Sequence, residues 1–120
     1  MIYLPPAKIT QGEPFAYSAT LQGQSWVGYT GAIIFKRNTP LLRKYSDYGL
    51  LTDGNDPFLT VTVTGNNVGL MQFALTIAQT ALFPALPRPR FFATARGEIT
   101  MTSGANAQKF QLPISVAGAI

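Results

Sequence analysis

Apolar and polar positions alternate along most of this chain with the period of two that marks half-buried strands. Phe15, Tyr17, Ala19 and Leu21 alternate with small or polar residues and predict a strand over Pro14 to Leu21. Ile33 and Phe35, with Ile34 between them, predict Ala32 to Arg37. Leu59, Val61 and Val63 interleave with threonines over Phe58 to Thr64, and Gly65-Asn66-Asn67 turns the chain into Val68 to Leu75 as a hairpin. A short strand is expected at Ala7 to Thr10, a long one at Phe91 to Thr102 with a bulge at Gly97, and a closing one at Gln108 to Val116. In the last, Phe110, Leu112, Ile114 and Val116 point inward, and Pro113, lacking an N–H, predicts an edge or bulged strand.

The period changes inside Gly69 to Leu82. Up to Leu75 it is strand-like; from Thr76 the Thr-x-x-Gln spacing of Thr76 and Gln79 is that of a capping box, and Ile77, Ala81 and Leu82 can share a face of one helical turn. The stretch therefore predicts a strand running into a capped corner between two sheets. About seven strands, with turn signals every 8 to 12 residues or so, predict one all-β domain over 1–120, an immunoglobulin-like antiparallel β-sandwich with a short helical turn near Thr76 to Leu82. Asn38 to Pro57 is expected as the longest irregular piece, with Asp53 to Pro57 as a turn, and the prolines of Phe83 to Arg90 stiffen a connection. Trp26, in the Gln22 to Gly31 loop, is expected to fold back as a lid on the core.

Composition narrows the chemistry. The chain has neither histidine nor cysteine, which removes the commonest general base, the commonest metal ligands and any disulfide framework. Asp53, Asn55 and Asp56 do not have the spacing of a calcium loop, so no cofactor or metal is expected, and Lys44 with Ser46 is a catalytic pair in composition only. An enzyme is therefore not expected. The opening residues lack the basic and apolar regions of a secretory signal, and Gln72, Gln79 and Pro84 interrupt the uncharged run that could otherwise read as a membrane span. Charged residues are only 12% of the chain against 47% hydrophobic, a surface suited to being covered by neighbours. The net charge of +4, with Arg88, Arg90 and Arg96 bordering Phe91 and Phe92, admits single-stranded nucleic-acid binding as an alternative of another class.

Three stretches carry a family resemblance: Ile9-Thr10-Gln11-Gly12-Glu13-Pro14-Phe15, then Tyr29-Thr30-Gly31-Ala32-Ile33-Ile34-Phe35-Lys36-Arg37, then Gly69 through Thr76 to Thr80 and Leu82. In this order the chain resembles the immunoglobulin-like virion domains of tailed bacteriophages, especially the N-terminal module of baseplate and receptor-binding upper proteins. It departs from them at Phe91-Phe92-Ala93-Thr94-Ala95, where the family has a Tyr-Asp strand. The resemblance implies a non-enzymatic structural protein of the virion, an adaptor in the tail, baseplate or tail-fibre region or, alternatively, a capsid decoration protein. Its implied partners are other virion proteins and further copies of itself, with no membrane. The contact residues expected are Tyr3, Leu4, Leu41, Leu42, Arg43, Tyr45, Tyr48, Arg88, Arg90 and Ile120.

Overall fold

A computed structural model describes residues 2–40, 51–83 and 95–117, the side chains of 38–40 and 51–56 excepted. The elements are β1 (Ile2–Tyr3), β2 (Ala7–Thr10), β3 (Phe15–Thr20), β4 (Thr30–Pro40), β5 (Leu51–Gly65), β6 (Leu70–Leu75), α1 (Ile77–Thr80), β7 (Ala95–Ser103) and β8 (Asn106–Ala117). Side by side the strands run β1-β8-β7-β4-β5-β6-β3, with β2 also on β8. The result is an all-β, curled sheet. It is mixed and not purely antiparallel as expected, because β1 and β2 both run parallel to β8.

The period-two pattern is realised as one inner face. Ile33 and Phe35 of β4, Ile99 and Met101 of β7, and Phe110, Leu112, Ile114 and Val116 of β8 are all buried together with Ile9 of β2. Val63 is buried and Leu59 and Val61 pack beside it, while the threonines between them face solvent. The β3–β6 ribbon folds over this floor, bringing Phe73 to 5.7 Å from Phe35, centroid to centroid. Two lids complete the core. Trp26, 1% exposed, meets Phe110 edge-on, as the sequence predicts, and Phe83 stands edge-on to both Phe35 and Phe58.

Four expectations are corrected. Residues 38–40 and 51–57 are strand and not loop: Arg37 pairs with Asp56, Thr39 with Thr52 and Pro40 with Leu51, so the Asp53-Gly54-Asn55 turn signal is used in a bulge opposite Asn38. Gly97 lies in an unbroken register between Phe35 and Leu112, and a Cβ there would stand 2.5 Å from Ile33 Cδ1; glycine is needed for close packing and not for a bulge. Pro113 sits in an interior strand, where β1 pairing ends at Gln111 and β2 pairing resumes at Ile114; Pro5 and Pro6 span that same gap, so proline faces an interruption in its neighbour. In α1 the buried residue is Thr80, followed by Phe83, whereas Ile77 and Leu82 face solvent.

The capped corner itself is as predicted. Gln79 donates its N–H to Thr76 Oγ1 at 3.2 Å, and Thr76 donates its N–H to Gln79 Oε1 at 2.9 Å. Beyond it the chain leaves the ribbon layer and returns in β7, on the floor.

Candidate docking surface

Backbone pairing decides which strand edges remain open. Leu21 donates to the Gly69 carbonyl at 2.9 Å, which marks a hydrogen-bonded rung at the foot of the ribbon. Rungs alternate in antiparallel pairs. In the β3–β6 register the bonded rungs are then Ala19 with Met71, Tyr17 with Phe73 and Phe15 with Leu75. Ala16, Ser18 and Thr20 consequently turn their N–H and C=O groups to the other edge of β3, where no strand pairs with them among the described residues.

The same alternation of rungs places a split between β5 and β6. Asn66 donates to the Leu70 carbonyl at 3.0 Å, so Thr64 with Gln72 is the next bonded rung and Thr62 with Ala74 should follow. Pairing stops at Thr64 and Gln72 because β6 peels away to lie over the core while β5 stays with β4. The split opens into a groove of about 480 Å³ lined by Ala16, Ser18, Thr62, Thr64, Gln72 and Ala74 among others. No charged side chain lines it among the described residues. Neither β3 nor β6 carries a charged residue.

At each end of the ribbon the surface turns apolar. Val27 and Val68 are exposed on two loops that Trp26 and Asn66 tie together, the Trp26 N–H donating to the Asn66 carbonyl at 2.9 Å. At the opposite end Ile77 and Leu82 are exposed on the capped corner.

Three of the described basic groups, Lys36, Arg37 and Arg96, are engaged. Lys36 Nζ meets Glu98 Oε2 at 2.6 Å, Arg96 Nε lies 3.9 Å from Glu98 Oε1 although Arg96 is only 8% exposed, and the Arg37 guanidinium stands 4.5 Å from the Phe58 ring centre. Among the described residues no group of three or more acidic, histidine or cysteine side chains gathers as a metal site, and no helix is long and apolar enough to cross a membrane.

Of the contact residues expected from the sequence, Tyr3 lies in β1 and is 67% exposed, and Leu4 packs partly against the core while donating its N–H to the Gln111 carbonyl. Leu41, Leu42, Arg43, Tyr45, Tyr48, Arg88, Arg90 and Ile120 lie outside the described residues. The β3 edge and the groove were not anticipated. Their signal in the sequence is an alternating strand with no lysine, proline or acid within it, the features that normally guard an edge. Comparison with protein-family models, curated proteins and solved structures finds no match to the chain.

Proposed function

We propose that this chain is a non-enzymatic structural protein of a tailed-phage virion, an adaptor in the tail, baseplate or fibre-attachment region that docks its neighbours by shape and strand edge, on an immunoglobulin-like plan. The observation that carries the docking reading is the uncharged β3–β6 ribbon, with one edge unpaired among the described residues, a split beside it and exposed apolar residues at both ends. Such a surface satisfies its backbone groups by accepting a neighbour. The placement in a virion rests on the family resemblance of the three sequence stretches.

The test is mass spectrometry of purified particles separated into heads and tails, from a phage that encodes the chain. The adaptor reading expects the chain in tails at few copies; many copies on heads would replace it with the decoration variant. A chain absent from particles and monomeric in solution would overturn the proposal.

A further inference from the structure

The open edge of β3 has the geometry to pair with itself. We infer that two copies of this chain associate through β3, antiparallel about a twofold axis, to make a continuous β6–β3–β3–β6 sheet. This names a partner for the docking surface above and rests on that surface being used for docking, but not on membership of a virion.

Ala16, Ser18 and Thr20 offer donors and acceptors that no strand pairs with among the described residues. With Ser18 facing its own twin, Ala16 of one copy faces Thr20 of the other, and all three open residues fall on bonded rungs, giving about six intersubunit hydrogen bonds. The side chains in this register are complementary. On the inner face Tyr17 stands opposite Ala19 of the second copy, a large residue beside a small one, and on the outer face Ala16, Ser18 and Thr20 are small and exposed. The absence of charge on β3 and β6 removes like-charge repulsion across the twofold.

The other open edges are less suited. The β1–β2 edge is interrupted by Pro5 and Pro6 and carries an exposed Lys8, and the β5 edge reaches β6 only through the narrowing split. Across the β3 edge, β2 belongs to the floor layer; the turn at 11–14 connects it to β3, and the Tyr17 hydroxyl donates to the carbonyl of Pro5, ahead of β2, at 3.0 Å.

The register predicts a specific test. Ser18 is exposed, so Ser18→Asp and Ser18→Lys should both fold, as checked by circular dichroism, and each should weaken self-association by roughly tenfold or more in sedimentation equilibrium, because like charges then meet across the interface. Mixed together they should recover a heterodimer, because the two charges then meet across the axis. In a chain without cysteine, Ser18→Cys should cross-link to a dimer under mild oxidation, and Thr60→Cys, on another strand, should not. Wild-type chain that stays monomeric across a dilution series, or variants that associate like wild type, would overturn the inference whether or not the chain is found in particles.

Discussion

Thr80 Oγ1 accepts the Gly12 N–H at 3.2 Å and donates to the Ile77 carbonyl at 3.0 Å, so one buried hydroxyl joins the capped corner to the turn between β2 and β3. Gln11 reinforces the junction, its Nε2 donating to the Phe83 carbonyl at 2.6 Å. The corner thus fixes where the ribbon leaves the floor.

Replacing that hydroxyl leaves Gly12 without its acceptor. Thr80→Val should cost about 1–3 kcal/mol, and Gln79→Ala, which removes one arm of the capping box, about 0.5–2 kcal/mol. Urea unfolding of the two variants checks both, with Thr80→Val the larger.

Gly65 lies where the β5–β6 hairpin passes over the indole; a Cβ would stand 2.5 Å from Trp26 Cβ and 2.8 Å from Cγ. Gly65→Ala should therefore displace the lid and cost about 1–3 kcal/mol, with a red shift of tryptophan emission as the ring gains contact with water. Trp26 Nε1 is buried with no hydrogen-bond partner among the described residues. Trp26→Phe removes that unpaired donor and should cost much less than the ~3–5 kcal/mol expected for Trp26→Ala, measured by thermal unfolding.

Burial raises the Tyr17 phenol above its ordinary value of 10.0. The unfolded chain then loses this proton before the folded chain does, so the folded state holds more protons and stability falls as pH rises from about 10 through the folded value. Ionisation also removes the donor to the Pro5 carbonyl. Tyr17→Phe should show less of this alkaline loss than wild type; equal loss in both would reject the assignment.

The Lys36–Glu98 pair is partly exposed and should contribute little. Lys36→Met is expected to change stability by no more than about 1 kcal/mol, and less in high salt, in the same urea titration.

Much of this was legible in the sequence because it is local. The alternation of Leu59, Val61 and Val63 fixes their face, and the Thr76–Gln79 spacing fixes the cap, without reference to distant residues. Gly97 and Pro113 were misread because their reasons are tertiary: Ile33 needs the space of a missing side chain, and the break at Pro5-Pro6 tolerates a missing N–H. The Asp53-Gly54-Asn55 signal was misread as a turn in a loop, because the Arg37–Asp56 and Thr39–Thr52 pairs on either side of it, which continue the hairpin through a bulge, are long-range. The unpaired β3 edge was illegible because openness depends on which strand lies alongside, and that follows from the sheet order and not from β3 itself.

The most direct measurement is amide hydrogen exchange on the chain, first at high dilution and then in its assembled state. Fast exchange is expected at Ala16, Ser18 and Thr20 in the dilute chain and strong protection in the assembly, while Ala19 and Tyr17, bonded to β6, are protected in both. Equal exchange at Ala16, Ser18 and Thr20 in the two states would contradict docking through the β3 edge.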